Sequence, residues 1–207
     1  MLNRDLIIST ALEVIDRDGL DTFSMPRLAT SLGVRSPSLY YYFEDKQTLL
    51  AAVARAIVSK TRYPPMEDSD DWVEWFVCIS TDFRRRVLEH PNAAPVLLRY
   101  MPRDLFVEMY ERTAEFLSRA GIPEDGQMVI IDCLDRLSIG AALTEATRTP
   151  EERRRIFAGI DPGAMPRLAG VVRANERDSE QLFADAVRIF LRGAAARSRN
   201  GGKDTTR

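Results

Sequence analysis

Apolar residues recur along nearly the whole chain at spacings of three and four, and no stretch alternates apolar with polar between turn residues. This pattern predicts an all-α protein with no sheet. A first helix is predicted over residues 3–18, where Leu6, Ile7, Thr10, Ala11, Val14 and Ile15 form one stripe and Gly19 supplies a left-handed cap. Phe23 leads into a short second helix capped by Ser24, and Pro26 is tolerated there because first-turn amides have no intrahelical acceptor. A third short helix opens at Ser36-Pro37 and ends near Phe43; a fourth runs from Asp45 to about Arg62.

Pro64-Pro65 and the acidic stretch 67–71 interrupt the pattern and mark a module boundary. Beyond it, long helices are predicted over residues 71–89, 102–120, 123–148 and 178–196, with a short one over 93–100. Residues 149–175 read as helical turns separated by Asp161-Pro162-Gly163. The polar, glycine-containing tail is expected to be disordered. Three divisions result: residues 1–62, 63–196 and 197–207.

Apolar runs such as 128–131 fall far short of the roughly 20 residues a bilayer span needs, so no membrane partner is expected. The first 19 residues mix acids with apolar positions and offer no small-residue cleavage site, which favours a helix over a signal peptide and a cytoplasmic location. Cys78 and Cys133 lie inside apolar helical patterns and read as buried free thiols.

The 207 residues carry a formal net charge of -2, which does not advertise a polyanionic partner. Residues 1–62 are themselves near neutral: Arg4, Arg17, Arg27, Arg35, Lys46, Arg55, Lys60 and Arg62 face Asp5, Glu13, Asp16, Asp18, Asp21, Glu44 and Asp45. Any positive face must therefore come from where the side chains point.

The informative segment is SMPRLATSLGVRSPSLYYYFEDKQTLL, residues 24–50. Leu28, Leu32 and Val34 can pack against Leu39 and Phe43, while Gly33 makes a tight turn and Ala29 permits close approach. This is the pattern of a helix-turn-helix. With Leu39 and Phe43 turned inward, Arg35, Ser36, Ser38, Tyr41 and Tyr42 are left along the start and outer face of the third helix. Arg can fork onto guanine, Ser can donate to bases or phosphates, and Tyr can reach phosphate. Lys46, at the start of the next helix, can clamp a phosphate together with free amides.

The string LATSLGVRSPSLYYYFEDKQTLL after DGLDTFS resembles the DNA-binding domain of the tetracycline-repressor (TetR) family, whose form is LA..LGV...TLY.HF..K..L. The resemblance covers about residues 2–57. It implies that Ser24, Arg35, Ser36, Pro37, Ser38, Tyr40, Tyr41, Tyr42 and Lys46 face DNA. Pro26 stands where the founding repressors carry a basic, base-reading residue, which leaves neighbouring Arg27 as a phosphate contact. The implied protein is a homodimeric repressor that binds a double-stranded DNA operator and is released by a small, largely apolar effector molecule; no cofactor is expected.

For the larger module the resemblance implies a helical effector-binding body whose last two long helices form an intersubunit four-helix bundle. Leu182, Ala186, Ile189, Phe190 and Gly193 in the final helix, and Leu134, Leu137, Ala141 and Ala142 before it, are the residues for that packing. Trp75, Phe76, Ile79, Phe83, Tyr100, Met101, Phe106, Met109, Tyr110, Met128 and Ile131 are candidate cavity walls, since aromatic and Met side chains line adaptable pockets; taken singly, each reads more readily as core. Asp132, Asp135 and Arg136 are either polar anchors or a solvated ion-paired face, with Asp135 taken as the candidate ligand contact. His90, before Pro91, reads as a cation at a helix C-terminus, and one histidine without a nearby cysteine makes no metal site.

No glycine-rich phosphate loop, nucleophile elbow or Cys-His arrangement argues for an enzyme. The alternative function is a helical dimeric ligand-binding or scaffold protein that has lost specific DNA binding.

Overall fold

The computed structural model describes residues 1–62, 64, 71–154 and 160–201. The predicted boundary at Pro65 and residues 67–70, the turns at 155–159 and residues 202–207 of the tail lie outside the described residues. Eleven α-helices and no strand occur among the described residues.

The first four helices are short. Helix α1 (Arg4–Asp18) is capped by Asn3, whose side chain accepts the Leu6 amide at 2.8 Å, and stops at Gly19, whose φ of 83° lets its amide reach the Ile15 carbonyl. That φ lies in the left-handed region, which glycine enters without steric cost. Helix α2 (Met25–Ser31) and helix α3 (Ser36–Tyr40) each carry a proline in the first turn. Helix α3 is shorter than the stripe suggested, but the Phe43 amide still bonds the Leu39 carbonyl at 3.0 Å and continues the turn. Helix α4 (Lys46–Val58) begins at Asp45, which accepts the Thr48 amide at 2.7 Å, and ends before the predicted Arg62.

The body follows as α5 (Trp72–Leu88), α6 (Val96–Tyr100), a 3-10 turn (Arg103–Phe106), α7 (Val107–Arg119), α8 (Glu124–Ala146), α9 (Pro150–Arg154), α10 (Pro166–Ala174) and α11 (Ser179–Gly201). Helix α5 is the spine and packs along both α8 and α11. The last helix carries the chain beyond the predicted end at residue 196 to Gly201, so the start of the expected disordered tail is helical.

Two apolar cores form. One joins Ile7, Val14, Leu28, Leu39, Phe43 and Leu49 of the N-terminal helices to Val87, Leu97, Phe106 and Ala142 of the body, so it crosses the predicted module boundary. The other holds Trp75, Phe76, Leu117, Ile130, Phe183, Val187 and Leu191 together. Burying a large aliphatic or aromatic side chain contributes about 1.5–3 kcal/mol, which makes each core a substantial source of order.

A charged cluster pins the spine. The guanidinium of Arg84, 4% exposed, is paired bidentately with Glu145 of α8 and also reaches the Ser179 hydroxyl at 2.9 Å. Cys78 is exposed and Cys133 only half-buried, correcting the reading of both as buried thiols. The intramolecular stripe of α5 runs through Trp75, Phe76, Ile79 and Phe83, and Cys78 falls between them on the outer side.

Candidate nucleic-acid interface and internal cavity

Ser24 starts α2 by accepting the Arg27 amide at 3.4 Å, and Gly33, with φ 67°, lets the chain reverse so that the Val34 amide reaches the Ala29 carbonyl. Leu28, Ala29, Leu39 and Phe43 are buried between the two short helices, as their spacing predicts. This fixes which residues face outward. Arg27, Arg35, Pro37 and Ser38 are exposed, Ser24 and Ser36 half-buried, and Tyr40 and Tyr41 are 50% and 86% exposed. The ring and hydroxyl of Tyr41 are thus presented outward.

Two candidate residues are engaged within the chain. Tyr42 is turned partly inward: its hydroxyl donates to the Leu2 carbonyl at 2.8 Å, and its ring stands edge-on to Tyr41 at 5.2 Å. Lys46 folds back so that its ammonium donates to the Phe23 carbonyl at 2.6 Å and lies 5.4 Å from the Phe23 ring. Arg27 leans toward Asp18 at 3.4 Å. Arg4, which the sequence pattern left as an ordinary surface residue, stacks over Phe43 at 4.2 Å and donates to the Tyr42 carbonyl, bracing the end of α3 from α1.

In the body a cavity of about 70 Å³ opens between α5, α7, α8 and the 3-10 turn. Phe76, Ile79, Phe83, Met101, Phe106, Met109, Tyr110, Ile131 and Asp135 line it, nine of the twelve candidates from sequence. Three do not. Trp75 is buried in the second core with its indole N–H donated to the Pro64 carbonyl at 3.1 Å. Tyr100 packs against the first core instead. Met128 is 65% exposed on the outside of α8, because it lies one position off the inward stripe carried by Gln127, Ile130 and Leu134.

The wall also contains Thr61, Ser80, Arg103, Thr113, Leu134, Ser138 and Ile139, which the choice of aromatic and Met residues missed. A signal was present. Positions 76, 79, 80 and 83, positions 106, 109, 110 and 113, and positions 131, 134, 135, 138 and 139 each follow helical spacing along one face, and the hydroxyls of Ser80, Thr113 and Ser138 sit on those faces, whereas Thr61 lies beyond the end of α4.

Asp135 is the carboxylate of the wall. It accepts the Tyr110 hydroxyl at 2.6 Å, and burial pushes its carboxyl above the usual carboxylate range, against the hydrogen bond and nearby Arg103, which pull it down. Asp132 and Arg136 form an i,i+4 ion pair at 2.7 Å on the outside of α8, which resolves the three charges into one cavity group and one solvated pair.

The two units are linked at named points. Arg55 on α4 pairs with Asp104 of the 3-10 turn at 2.6 Å. His90, just past the end of α5, reaches the first unit: its Nδ1 lies 2.6 Å from the Asp16 carboxylate of α1, and Asn92 donates to the Asp16 carbonyl at 2.6 Å.

Residues 7–53 match the family described as bacterial regulatory proteins, tetR family, and residues 64–197 match the tetracyclin repressor-like C-terminal domain. The chain belongs to the TetR family. As a TetR-family member it is a ligand-responsive, DNA-binding transcriptional regulator, whose partners are an operator duplex, a small-molecule effector and a second copy of the chain. The class D tetracycline repressor of Escherichia coli is 26% identical over 194 residues, spanning 93% of this chain and 88% of that one. Among solved structures, ActR from Streptomyces coelicolor in complex with actinorhodin superposes with a TM-score of 0.74 at 25% identity, covering 96% of this chain and 99% of that one. The TetR-family regulator SCO0253 of the same organism is 32% identical, with a TM-score of 0.64 over 86% of this chain and 99% of that one. These relatives are regulators of transcription, not enzymes. Among the described residues no helix is long and apolar enough to cross a membrane.

Proposed function

We propose that residues 1–62 form the DNA-binding unit of a cytoplasmic repressor without catalytic activity, and that residues 63–196 hold its effector and pair with a second copy. The observation that carries the reading is the outward edge of Arg35, Pro37, Ser38, Tyr40 and Tyr41, held at a fixed angle by the buried Leu28, Leu39 and Phe43. Arg35 and Ser38 reach base edges in the major groove, while Ser24, Arg27, Ser36 and Tyr41 contact phosphate. Tyr42 and Lys46 serve the same surface from behind: they hold the end of α3 and the loop before α2, and Lys46 adds positive charge beside the N-terminus of α4.

Pairing uses α8 and α11. The side of α11 facing its own chain is Phe183, Val187 and Leu191, whereas Ala186, Ile189 (72% exposed) and Gly193 face outward, with Met128 and Val129 exposed on α8. That unpartnered apolar surface on the two long helices favours an isologous four-helix bundle.

The effector enters the cavity between α5, α7 and α8. ActR is solved with actinorhodin and with (S)-DNPA, and a TetR variant of Acinetobacter baumannii with minocycline. Drug-sized ligands occupy pockets of roughly 300–1,000 Å³, so a molecule of that class must spread the walls of a cavity of about 70 Å³. The 3-10 turn provides the link to DNA, because Arg103 and Phe106 line the cavity while Asp104 between them grips Arg55 of α4. Moving that turn tilts α4, changes the separation of the paired α3 helices and sacrifices contacts in one half-site.

Selection of duplexes by the purified dimer tests the reading. Arg35→Ala should change the preferred sequence, whereas Arg27→Ala should weaken every duplex and flatten the salt dependence. Equal binding of all duplexes by both variants and the parent would contradict it.

A further inference from the structure

Two polar groups stand out in the cavity wall. The Thr61 side chain is 94% buried, since only 6% of the residue is exposed, and its hydroxyl finds no hydrogen-bond partner among the described residues. Asp135 is the other. Its Oδ2 accepts a bond from the uncharged Tyr110 hydroxyl, and the rings of Phe76, Phe83, Phe106 and Tyr110 line the same cavity. Among the lining residues only Arg103 can offset that charge, and it is exposed at the cavity rim, where water solvates it. The imbalance has a sign: the negative group is half-buried in the wall and the positive one is exposed.

We infer that the cavity takes an amphipathic organic cation, an aromatic or aliphatic body bearing one protonated amine that pairs with Asp135. This rests on the reading of the cavity as the effector site and narrows it to a chemical class. A buried charge loses hydration that a neutral hydrogen bond restores only in part, so an entering ammonium converts an unfavourable group into a charge-assisted pair. The same ammonium lies among ring faces, each an additional site of attraction for a cation. An anion would instead be brought beside Asp135, where like charge in a low-dielectric wall repels. Burial already holds the Asp135 carboxyl high, which is the behaviour of a carboxylate lacking a counter-charge. The Thr61 hydroxyl, unpartnered among the described residues, lies three positions after α4, so a polar group on the guest's body would bond to the segment that follows the helix joining the cavity to the DNA-binding unit.

The test is calorimetric titration of the full-length protein with three matched probes: 2-(1-naphthyl)ethylamine, 2-(1-naphthyl)ethanol and 1-naphthylacetate. The amine is expected to bind at least about tenfold tighter than the alcohol, and the acid weakest, since a desolvated charge pair is worth more than a neutral contact. Asp135→Asn, which keeps an acceptor for Tyr110, should erase the preference for the amine while changing alcohol binding by less than about threefold. Arg103→Ala, at an exposed position, should tighten the amine by removing a like charge at the rim, and it provides a second reading should Asp135→Asn fold poorly. Alcohol binding equal to or tighter than the amine, or tightest binding of the acid, overturns the assignment of class and leaves the cavity as the effector site. Failure of all three probes to bind overturns the cavity reading itself, and the class with it.

Discussion

Arg55 of α4 and Asp104 of the 3-10 turn meet at 2.6 Å, although 49 residues separate them in sequence and they belong to different functional units. Both side chains are largely solvated, and an exposed pair of this kind stabilises a fold by only about 0–1 kcal/mol. Its value lies in transmission. Arg55→Ala should leave the melting temperature nearly unchanged while reducing, severalfold, the factor by which effector weakens operator binding. Operator titrations with and without effector measure that factor; an unaltered ratio would remove this pair from the route.

His90 and Asp16 form the second bridge. One Asp16 carboxylate oxygen meets His90, while the other is buried without a partner among the described residues. Loss of the imidazole leaves the whole group unmet, at a cost of about 1–3 kcal/mol. Thermal melts of His90→Ala should show a loss of that size, and adding Asp16→Ala should restore part of it. A double variant as weak as the sum of two independent losses would argue that the contact does not stabilise.

The paired Arg84 and Glu145 sit in the seam of α5, α8 and α11. Removing one member of a buried pair strands the other charge, so Arg84→Met should destabilise by about 3–5 kcal/mol. Arg84→Met with Glu145→Leu should recover most of it, because two apolar residues replace two desolvated charges. Denaturant midpoints of the three proteins decide between this and a purely steric role for Arg84.

Asp135 makes stability depend on pH. Burial raises its carboxyl in the fold above the ordinary value of 3.8, so the native state holds the proton more tightly than the unfolded chain. The resulting stabilisation is complete below that ordinary value and is lost as pH rises through the raised one. Asp135→Asn removes the dependence. Relative to the parent, the variant should therefore gain stability as pH is taken from roughly 4 to 7, and melting curves across that range should show the difference growing. A difference shrinking with pH would mean that the carboxylate is stabilised in place.

Much of this was legible before any coordinates. The helix-turn-helix could be read because its requirements are local: Gly33 at the reversal, Leu28 and Leu39 facing one another, proline confined to first turns. The cavity was readable at nine positions because large side chains announce themselves. Ser80, Thr113 and Ser138 share the helical spacing of those positions but carry no bulk, and a hydroxyl on a helix is equally at home in solvent; Thr61 lies beyond the end of α4, where only the juxtaposition of elements decides. Met128 and Trp75 show the reverse error, where bulk alone suggested a wall and a shift of one residue along the helix sent the side chain elsewhere. The intrachain partners of His90 and Lys46, Asp16 and Phe23, could not be read for a related reason: they are 74 and 23 residues away.

The apolar core that runs unbroken from Ile7 through Leu49 to Leu97 and Phe106 sets a limit on how this molecule can be divided. A fragment cut after Arg62 would present Ile57 and Val58 to water and forfeit the surface on which α4 rests. Grafting this headpiece onto another sensor therefore requires carrying α6 and the turn beneath it along, so the natural unit of exchange is larger than the segment that touches the duplex.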